Sequence, residues 1–217
     1  MHVNKSLIGI SVLGFALVSA MAHADLTLLD DNFNSENGGI GSFGDYTGFA
    51  NWTVTAGTVD LVGYGSWDLF PPQTNTVGDV YVDLDGSAYA AGTLRSKIPF
   101  HLTPGTLQLQ FDLAGSQRGK DDAWRPNVVR VTLGDWSGDF APQAEDPMRT
   151  YSFAIGVPTE TDAYLSFQNM PDGTYIGDNI GALLDNVKLT SVSIPEPATL
   201  ALLGLGLAGL GFSRRKQ

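Results

Sequence analysis

Asp185 makes the strongest chemical demand in the chain. It shares strand parity with Leu183, Val187 and Leu189, which read as core-facing. A carboxylate on that face is costly unless it is hydrogen-bonded or paired with a cation. Lys188, the nearby cation in sequence, has the opposite parity. Two readings follow: hydrogen bonds from backbone amides in a turn just before the strand, or a bound metal ion.

Aromatic residues form a second set. Trp52 falls in a strand and reads as packing, whereas Trp67, Trp124, Trp136 and Tyr175 fall in or beside loops. The flat C–H face of a sugar stacks on such rings, while Asp and Arg side chains bond its hydroxyls. The stretch 119–125 contains Asp121, Trp124 and Arg125 and so holds both ingredients. Trp67, Trp124, Asp121 and Arg125 are therefore the predicted ligand-binding residues, although loop tryptophans can equally fold back over the ends of a sandwich. The acid pairs Asp83/Asp85, Asp121/Asp122 and Glu145/Asp146 have the composition of a glycosidase site, which needs two carboxyls ~5–10 Å apart. A chain this acidic produces such pairs by chance, and the expectation is no enzyme and no catalytic residue. The absence of cysteine excludes disulfides and thiol chemistry. With His2 and His23 in a removable leader, His101 is the one histidine left for a Ser-His-Asp arrangement, and a multi-histidine zinc site is excluded.

The elements that would position these residues read as all-β. Alternation is plain at Leu107, Leu109, Phe111 and Leu113, and recurs at Val129/Val131/Leu133, Tyr151/Phe153/Ile155 and Ala163/Leu165/Phe167. Residues 52–62 read as a hairpin turning at Ala56-Gly57. Pro104-Gly105, Asp85-Gly86, Asp172-Gly173 and Gly38-Gly39 mark further turns. The longest loops are predicted at 34–51, 63–79, 115–126 and 134–148. Short strands at this spacing argue an antiparallel β-sandwich over an α/β fold.

Both ends stand apart from this domain, giving a division into 1–24, 25–193 and 194–217. Residues 1–24 read as a signal peptide, with Lys5, an apolar run from Leu7 to Ala20, and small residues at Ala22 and Ala24. Cleavage there leaves Asp25 first. The other end reads Pro195-Glu196-Pro197, then an apolar and glycine-rich run from Ala198 to Phe212, then Arg214-Arg215-Lys216. The run is read as a short membrane helix whose basic flank stays in the cytoplasm. The chain has 23 acidic and 12 basic residues, for a net charge of −11. The two ends hold one of those acids (Glu196) and four of the bases (Lys5, Arg214, Arg215, Lys216), so the domain keeps 22 and 8, a net of −14. Such a surface repels nucleic acid and anionic lipid.

The Pro-Glu-Pro, Leu/Gly helix and basic cluster together resemble the PEP-CTERM sorting signal. That resemblance implies processing by an exosortase, a Gram-negative producer, transient membrane anchoring and delivery to the cell surface or a polysaccharide matrix. The domain resembles the choice-of-anchor C family, whose fold is a galactose-binding-like jelly roll. The resemblance rests on Leu29–Asn34, Asn51–Val54, Gly57–Val62, Val82–Gly86, Leu109–Gly115 and Gly181–Leu189. In similar jelly rolls the first and last strands meet beside a calcium ion. This implies Ca2+ held by Asp31, Asn34 and Asp185, whose oxygen donors suit calcium. Asn34 and Ser116 depart from the family pattern, which has Glu and Asn there. The expected function is non-catalytic binding of extracellular polysaccharide; a self-associating structural component and, more remotely, a small hydrolase are the competing readings.

Overall fold

The alternation at Leu107 to Leu113 becomes part of a ten-residue strand in which Leu107, Leu109, Phe111 and Leu113 are buried, in a computed structural model that describes residues 25–64, 69, 79–117, 127–170 and 179–192. The strands in chain order are β1 (Leu26–Asp31), β2 (Trp52–Ala56), β3 (Asp60–Gly63), β4 (Val80–Asp83), β5 (Asp85–Gly86), β6 (Ala90–Ala91), β7 (Thr93–Ser96) and β8 (Phe100–Leu102). They continue with β9 (Gly105–Ala114), β10 (Val128–Leu133), β11 (Trp136–Phe140), β12 (Arg149–Val157), β13 (Thr161–Ala163), β14 (Leu165–Met170) and β15 (Leu183–Val192). Among the described residues helix is confined to a 3-10 turn, Glu36–Gly38. These residues belong to one unit, Ala24–Ser193. Its architecture is the antiparallel β-sandwich expected.

One sheet runs β12-β9-β15-β4-β3, with β1 sharing an edge of β15 with β4; the other runs β11-β10-β14-β7-β2. Small pairs β8–β13 and β5–β6 flank them. The inner faces meet through Leu109, Phe111, Leu113, Val129, Val131, Leu165 and Phe167, all essentially inaccessible to solvent. Phe33, Phe49, Trp52, Phe111 and Phe167 form a ring-to-ring chain through this core, with centroids 5.2–6.2 Å apart. Trp52 is the packing residue that its strand position implied. Side chains thus consume the interior, and a ligand must use an end, an edge or an outer face.

Two expectations are corrected and one is refined. Residues 52–62 do not form a hairpin. β2 pairs with β7 in one sheet and β3 with β4 in the other. The chain crosses between sheets at Gly57, where φ is +56° and a Cβ would lie 2.0 Å from the Ala91 carbonyl oxygen. That close approach requires glycine. The segment 134–148 is not all loop, since Trp136–Phe140 forms β11, joined to β10 by the tight Gly134-Asp135 turn. Gly134 takes φ +58°, the positive value a two-residue hairpin turn demands. Asp85-Gly86 starts a turn as expected, but also pairs with Ala90–Ala91.

Candidate functional site

The abundant acids divide by burial, and the buried ones bind backbone. Asp60 is fully inaccessible and accepts from Asp45 N (2.8 Å), Ser87 N (2.8 Å) and Ser87 Oγ (2.7 Å). Glu36 accepts from Ala50 N at 2.7 Å and Tyr46 Oη at 3.4 Å. Asp83 accepts from Asp85 N at 3.0 Å. Asp31 accepts from Phe33 N (2.9 Å), Asn51 Nδ2 (2.9 Å) and Trp52 Nε1 (2.8 Å). Each carboxylate supplies acceptors to loop amides that no strand satisfies, which is the condition for burying it.

Asp185 is buried, but not on the core face. β15 carries a bulge between Asp185 and Lys188, with Asn186 at φ +49°. The bulge reverses parity. Leu184, Val187 and Leu189 enter the main core, whereas Leu183 packs with Val62, Tyr81 and Ala114 in a second cluster. Asp185 pairs across the ladder with Asp112, on the face opposite Phe111 and Leu113. Asp31 pairs with Val187 and reaches the core indole of Trp52. Asp31 is close enough for its charge to act on Asp185. Asn34 Oδ1 accepts from Val80 N at 2.8 Å. Among the described residues no group of three or more acids or histidines is disposed to hold a metal. Asp185 accepts from Asn186 N at 2.7 Å, and Asn186 Nδ2 donates to Asp112 Oδ2 at 2.9 Å. Burial pushes the Asp185 carboxyl up to about 7; the Asn186 amide opposes this, and the charges of Asp79, Asp112 and Asp31 reinforce it. Asp112 Oδ1 is buried without a hydrogen-bond partner.

A cleft of about 150 Å³ opens at the other end of β9. Its apolar floor is Leu102, Leu107, Leu133, Ile155 and Val157, and its rim carries Asp135, Trp136, Thr159, Glu160 and Thr161. The β10–β11 turn presents Asp135 and Trp136, and the β12–β13 connection presents Thr159 and Glu160. The half-buried Trp136 lies 5.5 Å from Phe153, tilted by 44°. His101 on β8 stands behind Glu160: Nδ1 is 2.9 Å from Asp162 Oδ1 and Nε2 is 3.3 Å from Glu160 Oε1. The Asp162 hydrogen bond raises the His101 pKa, and the charges of Glu160 and Asp162 add to it. Both ring nitrogens face carboxylates, so neither is free to take a proton from a serine hydroxyl. An indole over an apolar floor, ringed by carboxylates and hydroxyls, can stack a small ring and accept its polar hydrogens.

Sequence reasoning named Trp136 among the aromatics but not its partners. Gly134-Asp135 between alternating apolar residues was the available signal for the turn. Nothing local links residue 102 to 161. Trp67, Asp121, Trp124 and Arg125 lie outside the described residues, as do the signal peptide, Tyr175 and the tail with Pro195, Glu196 and Pro197.

Residues 193–216 match the PEP-CTERM protein-sorting motif, which marks an exported, exosortase-processed surface protein. No curated protein sequence matches the chain. Among solved structures, it is similar to the CBM22-1 xylan-binding domain of Paenibacillus barcinonensis Xyn10C. That likeness has 11% identity and a TM-score of 0.47, over 80% of this chain and 99% of that one. The C-terminal family 22 carbohydrate binding module of Clostridium thermocellum Xyn10B gives 11% identity and 0.46, over 78% and 96%. A family 35 carbohydrate binding module from Clostridium thermocellum gives 12% identity and 0.40, over 65% and 93%.

Proposed function

We propose that the sandwich is a non-catalytic carbohydrate-binding domain of an envelope or matrix protein, and that the Trp136 cleft holds the sugar. The observation that carries this reading is the cleft itself: an indole and apolar side chains lining it together with Asp135, Thr159, Glu160 and Thr161. The sorting motif supports it from the other side, because delivery to the surface of a Gram-negative cell brings the domain to extracellular polysaccharide. The loop residues Trp67, Asp121, Trp124 and Arg125 remain proposed as a second contact surface for a longer glycan. Binding of the mature chain to its host's extracellular polysaccharide tests the reading. Trp136→Ala weakens binding about tenfold, the worth of one lost ring contact, while Trp136→Phe keeps most of it. Failure to bind any extracellular glycan sinks it.

One observation favours a structural, self-associating role. Among the described residues β12 forms the edge of its sheet, and Arg149 is the single charged side chain in its nine residues. Such an edge lacks the charges and prolines that usually block strand addition. A structural calcium is also proposed, held by Asp185 with Asp31 and Asn34, and with Asp112 as a further carboxylate beside Asp185. Its support is the unpartnered Asp112 Oδ1 and the like charge around Asp185. Backbone and water oxygens would complete the six to eight positions calcium takes.

A further inference from the structure

We propose that the Trp136 cleft selects a single amine-bearing sugar unit, at a chain end or side branch, and rejects uronic acids. This rests on the reading of the cleft as a sugar site and names the class of sugar.

Size sets the number of rings. The cleft measures about 150 Å³, and an apolar cavity of that size accepts one six-membered ring. One ring can sit within it, and the rest of a chain would lie outside. The floor side chains are apolar, so polar groups of the sugar must point to the rim.

The rim sets the charge. Among the described residues its ionisable side chains are Asp135 and Glu160, with no lysine or arginine in the lining. Asp162 stands behind Glu160 through His101, which bridges the two acids across the β8–β13 pair. His101 thereby orients Glu160 while its own charge faces two carboxylates. The nearest interactions of Arg130 and Arg149 are with Asp139 and Asp146, away from the cleft lining. The cation near the cleft, His101, already faces two carboxylates, so a ligand carboxylate finds no free cation in the described lining, whereas an ammonium meets Asp135 and Glu160 beside an indole, a ring type that attracts cations.

Calorimetry on the mature chain with oligosaccharides of one linkage separates the possibilities. The probes are a free-amine glucosamine oligomer, its N-acetylated form and a uronic acid oligomer. The amine form binds about fivefold tighter than the acetylated form, the worth of one exposed ion pair, and the uronate does not bind. Added salt shrinks the difference. Glu160→Gln and Asp135→Asn, both at exposed positions, each remove part of the amine preference without altering melting, and Trp136→Phe lowers affinity for both binding forms alike. If amine and acetylated forms bind equally and Glu160→Gln changes nothing, the selectivity proposal is wrong while the sugar site stands. If the uronate binds best, the proposal is also wrong. If glycan binding survives unchanged in all three variants, the cleft is not the site. If none of these glycans nor the host polysaccharide binds, both readings fall together. Tight binding of a lysine-rich peptide with no binding of the amine oligomer would reassign the cleft to protein recognition.

Discussion

The two ends of the sandwich use the same residue type in opposite ways. At one end Asp31, Glu36, Asp60 and Asp83 are buried and spend their oxygens on loop amides and side chains of their own chain. At the other, Asp135, Glu160 and Asp162 are exposed around an apolar cleft. The net charge of −11 is thus not one property. Part is internal wiring, and part is a field offered to ligands. What separates them is whether a nearby strand leaves backbone donors unsatisfied.

The largest effect falls on the wired end. Asp60→Ala strips three hydrogen bonds from a fully buried acceptor and leaves two backbone donors without a partner. A loss of about 3–5 kcal/mol follows, read as a lower urea midpoint. A loss below about 1 kcal/mol would mean water reaches these amides and the division by burial is wrong.

Asp185 sharpens the contrast through pH. Its carboxyl has a reference value of 3.8 and titrates near 7 when folded. Between those values the folded chain keeps a proton that the unfolded chain has lost. Stability therefore falls as pH rises through this window, by up to about 1.4 kcal/mol per unit, and this contribution levels off above it. Asp31 on β1, Asp79 before β4 and Asp112 on β9 oppose its ionisation, and Asn186 favours it. Asp185→Asn should flatten the slope. Calcium at pH 8 should raise the melting temperature, equivalent to about 2.7 kcal/mol at a hundredfold excess over Kd, and Asp185→Asn should abolish that gain. Melting that ignores both calcium and chelator removes the cation from the account and leaves the pH slope intact.

The smallest effect belongs to the cleft end. Glu160→Ala should move stability by less than about 0.5 kcal/mol, as expected of an exposed acid. A larger change would show that its contact with His101 is part of the scaffold.

The sequence carried the strands whose pattern is strictly local. Leu107 to Leu113 and Val129 to Leu133 alternate without interruption, and their faces are as expected. It misled where one residue resets the pattern. Asn186 adopts a left-handed conformation, which asparagine tolerates better than most residues, and every parity argument upstream of it inverts. Gly57 reads as a hairpin turn, yet the partner that demands glycine is Ala91, more than thirty positions away in sequence. The cleft was out of reach for the same reason: its floor and rim come from six separate strands and their connections.

The pairing of β1 with β15 also governs the order of assembly. Leu26 lies against Ser191, and Lys188 reaches Asp30 at 2.7 Å. β15 stands between β9 and β4, so their sheet has no continuous middle until that strand arrives. A chain emerging N-terminus first keeps β1 unpaired until then. Contacts this remote slow closure and charge it with the entropy of a long loop. Among the described strands, β15 is the latch: without it β1 has no partner and β9 and β4 have no strand between them.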